Sequence, residues 1–475
     1  MTLVLGYLEC GSFRYPCQDQ ATIDIMGMYI PIRLISSIML GMGLGYLHIA
    51  WSLCCQFYRV RHLPQPQIAG RQRYRLPLFF CRTRHLELVA HCITPMANAN
   101  LSSAKAAKND EFYTQYRDIE EEMNAFLEYN PDVFREKTVL LPCDDPEWSN
   151  FTKFFAAKFD GLGLKKLIST SYAPESKKMV LGGLFSEYER SSPQFDADKS
   201  KTHGKIFILE RDITGDGRID IDDLEWNYLE GDGDFRSKEV TALRDEADII
   251  ITNPPFSLLR EFLAWIMTAD KHFLIIGSMN CITYKEVFPL IKDNKIWLGK
   301  SFNRGNAYFK PVASVAYADG VYDKDTGLVK FRNCIWLTNI DHGRRHEPLA
   351  LMTMEKNLRF SRHKEIKGKG AYAKYENYDA IEVPYTDAIP ADYDGVMGVP
   401  ISFLDKYCPE QFEILGIDGG DMGTSYGISS NLTQAQCDAL FKEHKGFRKG
   451  KLCFRNERGV LEVCYRRILI RKRKP

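Results

Sequence analysis

The sequence predicts an α/β protein built on a doubly wound parallel sheet, and three stretches carry the prediction. "ADIIIT" (Ala247–Thr252) and "HFLIIGSM" (His272–Met279) are apolar runs without alternation, the pattern of strands buried on both faces. Between them, "SLLREFLAWIMTAD" (Ser257–Asp270) spaces Leu258, Leu259, Phe262, Leu263, Ile266 and Met267 along one helical face. Strand, helix and strand in alternation is the pattern of a parallel sheet with crossover helices.

Upstream, the alternation can be followed element by element. "DIEEEMNAFLEYNPDVF" (Asp118–Phe134) sets Ile119, Met123, Phe126 and Leu127 on one helical face, which ends before Pro131. "KTVLLPCDDP" (Lys137–Pro146) is a short strand entering the loop Pro142-Cys143-Asp144-Asp145. "SNFTKFFAAKFDGLGL" (Ser149–Leu164) is a helix with Ser149 at its N-cap and a glycine stop. "KKLISTSY" (Lys165–Tyr172) is the second strand, while "KMVLGGLFSEYER" (Lys178–Arg190) and "GKIFILERD" (Gly204–Asp212) read as strands of a hairpin insertion. Beyond about residue 300, short strands such as "ASVAYADGVY" and "RNCIWLTNI" and many turns replace the alternation.

The length of 475 residues suits two or three domains. The net charge of +1 says nothing about partners, but its distribution does. Residues 441–475 hold thirteen Lys and Arg against three Glu, ending in "RILIRKRKP". Residues 356–377 hold seven against two, with Phe360, Tyr372 and Tyr375 interleaved. Such patches suit a phosphate backbone and unstacked bases, or else a solvated charged face. Thirteen cysteines without a CxxC pair read as reduced, mostly buried thiols of a cytoplasmic protein.

The most distinctive corner is "TNPPF", Thr252 to Phe256. Two prolines end the preceding strand, because neither can donate to a ladder. Ligands of open parallel sheets bind outside the carboxyl ends of the strands, where Asn253 stands. An exocyclic amine on a planar ring is a poor nucleophile, since its lone pair is delocalised. The Asn253 side-chain oxygen and the Pro254 carbonyl can each accept one amine hydrogen and free that lone pair. Phe256 offers a face for the ring, and Pro255 helps hold both acceptors rigid.

Asn-Pro-Pro-Phe resembles the catalytic tetrapeptide of amino-methyltransferases that use S-adenosylmethionine. "NDEFYTQ" (Asn109–Gln115) resembles a motif that precedes the cofactor strand in DNA adenine methyltransferases, and "YLEGDGDFRS" (Tyr228–Ser237) resembles their acidic motif. With "YDGVMGVPISFLDKY" (Tyr393–Tyr407) and the terminal "RRILIRK", the set resembles the EcoRI-type adenine-specific DNA methyltransferase family from about Asn109 onward. The resemblance implies a Rossmann-like methyltransferase sheet over residues 96–300 and a mixed, basic DNA-recognition region with the remaining strands over 301–475. It implies Phe112, Tyr113 and Thr114 along the methionine half of S-adenosylmethionine, and Pro142, Cys143, Asp144 and Asp145 in the loop after the first strand. Asp234 would accept from the cofactor's adenine amine, with Phe235 against its ring; Asn253, Pro254 and Phe256 would hold a flipped target adenine of double-stranded DNA. A cognate restriction endonuclease would act separately, with no stable protein partner. This sequence departs from the wider pattern in two places. The first loop lacks Gly-x-Gly, and "STSY" ends the second strand without an acid for the ribose; Asp144 or Asp145 supplies other polar contacts there or caps the next helix. Methylation of RNA or of a protein glutamine stays open beside DNA.

"DITGDGRIDIDDLE" (Asp212–Glu225) resembles a calcium loop, with Asp212, Asp216, Asp220 and Asp223 in ligand positions, but Thr214 and the final Asp depart from it. An acidic turn is expected, with no metal site. His342 and His346 lack a glutamate between them, and Arg344 and Arg345 make that stretch a phosphate contact. Residues 34–55 carry no formal charge and are long enough to span a bilayer, with arginines following. Their composition, and the polar sequence from Met96, lead instead to the expectation of a start assigned too early, with residues 1–95 a doubtful extension. A membrane-tethered, non-catalytic calcium or nucleic-acid binder is the contrasting reading.

Overall fold

The computed structural model describes residues 112–145, 149–173, 193–219, 223, 226–302, 306–311 and 320–474, with two short strands earlier. Contacts divide the chain into two units, Met1–Glu87 and Leu88–Pro475. The described part of the first is an antiparallel pair, β1 (Thr22–Ile25) with β2 (Met28–Pro31). The apolar stretch 34–55 lies outside the described residues. Among the described residues, no helix is long and apolar enough to cross a membrane.

The apolar runs of the second unit form strands because both their faces are covered. In β4 (Thr138–Leu141) and β8 (Ile249–Thr252) every residue is buried, and in β9 (His272–Ser278) all but the two ends. Successive side chains point to opposite faces. Leu140, Ile250, Phe273 and Ile275 join one core, with Val240 of α3 (Lys238–Glu246) and Phe262 of α4 (Leu259–Met267). Val139, Leu141, Ile249, Ile251 and Leu274 join the other, with Ile119, Met123 and Phe126 of α1 (Tyr116–Tyr129) and Phe154 of α2 (Asn150–Ala157). The expected faces of α1 and α4 are the buried ones. Gly163 stops the segment after α2 at φ +64°, as a glycine can.

The sheet runs β10-β14-β9-β8-β4-β5-β6-β7, with β5 at Lys166–Thr170, β6 at Lys205–Leu209, β7 at Trp226–Tyr228, β10 at Trp297–Leu298 and β14 at Cys334–Thr338. The expectation of a parallel sheet is corrected: only β9-β8-β4-β5 are mutually parallel, and the flanking strands on both sides run antiparallel. A strand buried on both faces looks the same in either direction, so sequence could not separate the two. From β4 the chain moves out to β5 and then returns to β8 on the other side, so the strand order reverses beside β4. "KMVLGGLFSEYER" lies outside the described residues.

Strands from beyond residue 300 complete this sheet and build two four-stranded ones, beside a pair of β18 (Cys453–Arg455) with β19 (Leu461–Val463). One is antiparallel, β12-β13-β11-β3, joining β11 (Asn306–Pro311), β12 (Tyr322–Asp323) and β13 (Leu328–Arg332) to β3 (Phe112–Thr114). The other is β15-β16-β20-β17, joining β15 (Ile381–Glu382), β16 (Met397–Pro400) and β17 (Phe412–Ile417) to a central β20 (Arg467–Lys472) that buries Ile468, Leu469 and Ile470.

Candidate active site

The carboxyl ends of β4, β5 and β8 meet at the reversal point, and a buried carboxylate joins them. Asp144, 4% exposed, follows β4. Its Oδ2 accepts from Thr252 Oγ1 at 2.6 Å and its Oδ1 from Ser149 Oγ at 2.7 Å. Its N–H donates to the Thr170 carbonyl at 2.9 Å, and its own carbonyl accepts from Ser169 Oγ at 2.7 Å. Ser149 also caps α2 by accepting from the Phe151 N–H at 3.0 Å. The loop therefore serves the helix cap and the strand ends together. Asp145 is half-buried and faces Lys205 Nζ at 3.7 Å, while Cys143 is half-buried against the α4-side core.

Thr252 is the last residue of β8, and the corner follows at once. Asn253, 7% exposed, and both prolines are buried. Leu258 N–H donates to the Pro255 carbonyl at 2.9 Å, which turns the chain into α4. Phe256 is half-buried, edge-on to Phe331 of β13 with ring centres 5.7 Å apart. The β3–β11–β13 sheet thus reaches the corner. Its β3 is tied to the start of α2, because Asn150 Nδ2 donates to the Thr114 carbonyl at 2.7 Å. Tyr113 pairs with Lys310 across β3 and β11. Burial, and after it the like charge of Lys310, lower the ammonium pKa of Lys153, while Asp145 opposes the shift.

The Gly-Asp-Gly-Asp turn closes over the end of β5. Ala173 N–H donates to the Asp232 carbonyl at 2.8 Å, and Gly204 N–H to the Gly231 carbonyl at 2.9 Å. Gly233 sits at φ +79°, and a Cβ there would lie 2.1 Å from the Ser171 carbonyl oxygen. Only glycine permits that approach. Asp234 follows, forked by Arg236 with contacts of 2.9 Å (Nε) and 2.6 Å (Nη2). Arg236 also reaches Glu261 at 3.1 Å.

A family profile described as adenine-specific methyltransferase EcoRI matches residues 100–473. The chain belongs to this family. The Type II methyltransferase M.EcoRI of Escherichia coli is 44% identical over 332 residues, 68% of this chain and 92% of that protein. The Type II methyltransferase M.MpnI of Mycoplasma pneumoniae is 31% identical over 317 residues, 66% of this chain and 83% of that protein. No solved structure matches. By its family this enzyme is an adenine-specific DNA methyltransferase.

Within the methyltransferase, the sequence-derived residues fall into two groups. Asn253, Pro254, Pro255, Cys143, Asp144, Asp145 and Asp234 stand at the strand ends and the turn over them, with Tyr113 and Thr114 tied in through α2. Of Phe112 only the backbone, within β3, is described. Phe235 is placed elsewhere: its ring packs into the core against Phe262 at 5.0 Å and Trp265 at 5.5 Å between centres. Sequence reasoning passed over Thr252 and Thr170. A threonine closing an all-aliphatic buried run was the available signal for Thr252, and a buried Ser-Thr pair at the end of β5 for Thr170.

Two other expectations change, and the acidic turn takes the form expected of it. Tyr372 and Tyr375 are core residues; Tyr372 donates to the Ala388 carbonyl at 2.7 Å, and Tyr375 to the buried Glu382, which also holds Arg467 at 2.6 Å. They offer no stacking face, whereas Phe360 is exposed. Arg344 and Arg345 are engaged internally, Arg344 with Asp405 at 2.8 Å and Arg345 over the Trp297 ring at 3.7 Å, so they are not a ready phosphate contact. The acidic stretch is a hydrogen-bonded turn: Asp212 accepts from Gly215 and Gly217 N–H at 2.6 and 2.7 Å, and Asp223 from Ile213 and Thr214 N–H at 2.9 and 2.8 Å. Among the described residues no group of three or more His, Cys, Asp or Glu is placed to hold a metal.

Proposed function

We propose that the enzyme transfers a methyl group from S-adenosylmethionine to the exocyclic amine of an adenine in a specific duplex DNA sequence, with the base flipped into the Asn253–Phe256 corner. The observation that carries this is a buried Asn253 at the carboxyl end of β8, beside the reversal of strand order, on a buried Pro-Pro support. When bound, the cofactor supplies an electrophilic methyl group. The residues present fit it. Thr114 Oγ1 and Thr170 Oγ1 are buried hydroxyls without a partner. Their own carbonyls accept from Asn150 at the start of α2 and from Asp144 of the first loop, so the two border the loop's helix and the loop itself. Thr114 and Tyr113 would hold the methionine half, with Lys153 and Lys310 supplying positive charge. Asp145, Cys143 and Thr170 would line the middle, and Asp234 would accept from the cofactor's adenine amine.

The chain's own groups prepare the amine. Asn253 Oδ1 and the Pro254 carbonyl each accept one of its hydrogens, and Phe256 supports the ring. These acceptors are fixed before substrate arrives, so no reorganisation is required at the moment of reaction. Flipping the base costs a few kcal/mol, offset by stacking and backbone contacts. Exposed Lys364, Lys367, Lys374, Lys445, Lys449 and Arg458 of the 301–475 region would meet phosphates. A restriction–modification setting with a separately acting endonuclease belongs to this proposal, as does a cytoplasmic location.

The test is transfer of labelled methyl to duplex DNA of diverse sequence by the full chain, beside Asn253→Ala. Label in N6-methyladenine with the native chain and its loss with the variant are expected. Transfer that survives Asn253→Ala would overturn the mechanism, and label in RNA or protein alone would overturn the substrate.

A further inference from the structure

We infer that Asp144 is a positioning residue for the target-amine clamp rather than a cofactor ligand; the inference rests on the function proposed above. Asp144 lies at the crossing of four segments. Its carboxylate takes one hydroxyl from β8 (Thr252) and one from the α2 cap (Ser149), at 2.6 and 2.7 Å. Its backbone takes one hydroxyl from β5 (Ser169) and gives its N–H to the next residue, Thr170. Behind Ser169 stands Thr152 of α2, with the two hydroxyl oxygens 2.7 Å apart and both residues fully buried. Every one of these contacts is internal to the protein, and Asp144 is only 4% exposed.

Thr252 immediately precedes Asn253, so its hydroxyl sets the path of the peptide that carries both amine acceptors. A backbone pivot of a few degrees at Thr252 moves Asn253 Oδ1 and the Pro254 carbonyl together. A misplacement of about 1 Å in a reacting constellation lowers the rate by about 10²-fold. The same carboxylate holds the α2 cap, whose neighbour Asn150 anchors β3. Asp144 thereby fixes the distance between the methionine-side strand and the amine clamp. Asp145, half-buried and next in sequence, is the acid left for the cofactor.

The experiment measures cofactor dissociation constant and kcat separately for the full chain and for Asp144→Asn, Thr252→Val, Thr252→Ser and the double variant Asp144→Asn/Thr252→Val. The expected result is a fall in kcat of about 10- to 100-fold for Asp144→Asn and for Thr252→Val, with the dissociation constant within about threefold. The double variant should be little worse than either single one, because both remove one link. Thr252→Ser, which keeps the hydroxyl, should recover most of the loss. If Asp144→Asn does not fold, the Thr252→Val and Thr252→Ser pair decides alone. A tenfold weaker cofactor complex with kcat preserved would overturn the inference, as would additive losses or a Thr252→Ser no better than Thr252→Val. Absence of transfer by the native chain is the separate failure of the proposed function; cofactor binding would still report on Asp144, since a ligand role predicts its loss in Asp144→Asn.

Discussion

At the scale of single residues, one acid and one glycine shape the turn over the end of β5. Asp234 is the acid assigned to the cofactor's adenine, yet Arg236 forks it. That arginine is half-exposed, so solvent screens the pair and holding it together contributes under about 1 kcal/mol. Asp234→Ala should therefore raise the cofactor dissociation constant about tenfold, the worth of one charge-assisted hydrogen bond of about 1.5 kcal/mol. Arg236→Ala should leave it within about twofold or tighten it. Equilibrium dialysis of both variants separates these outcomes, and a loss confined to Arg236→Ala would reverse the assignment. Gly233→Ala is a harsher change, since it meets both the positive φ and a carbonyl 2.1 Å from its Cβ. It should destabilise the fold by about 2–4 kcal/mol, read as a lowered urea midpoint with unchanged slope. The glycines of that turn were visible in sequence, but the carbonyl they approach was not. Ser171 follows directly on β5, which only the tertiary fold brings beneath the turn.

At the scale of elements, the strongest sequence signals were those of elements stabilised by their own pattern. The faces of α1 and α4, the cap of α2 and the uninterrupted strands β4, β8 and β9 all follow from spacing or from a local hydrogen bond. What stayed illegible depends on partners remote in sequence. β3 is three residues long and has meaning only against β11, and β14 enters the main sheet from beyond residue 300. The aromatics of the basic stretch show the same limit: Tyr372 and Phe360 look alike in composition, but one donates to a buried carbonyl and the other stands in solvent. Phe235 is the instructive case for the site. Its motif suggests contact with the cofactor, whereas its ring packs edge-on against Phe262 and Trp265 of α4. Phe235→Ala should cost about 3–5 kcal/mol of stability, the range for a buried phenylalanine. At a temperature where the variant is still folded, its cofactor dissociation constant should be near that of the native enzyme. Native stability with weakened binding would return Phe235 to the cofactor.

At the scale of the whole second unit, the end of α1 is tied to the segment entering β17 (Phe412–Ile417) through one histidine. The His346 ring stacks on Tyr129 with centres 5.5 Å apart. Its Nε2 lies 2.8 Å from Asp341 and its Nδ1 2.9 Å from Glu410. The bond to Asp341 foremost, and that to Glu410, outweigh the cost of burial and raise the imidazole above its ordinary pKa. A raised folded-state value means the folded chain binds the proton more tightly than the unfolded chain does. The contribution to stability is then fully present below the unfolded value of about 6.5 and is lost as pH rises through the folded one. His346→Gln removes the titration while leaving a hydrogen-bonding side chain. The difference in melting temperature between the native enzyme and His346→Gln should be largest at about pH 6 and should shrink steadily toward pH 9. Other titrating groups cancel in that difference, so a gap that stays constant, or that widens with pH, would mean the imidazole holds α1 to the β17 side without its charge.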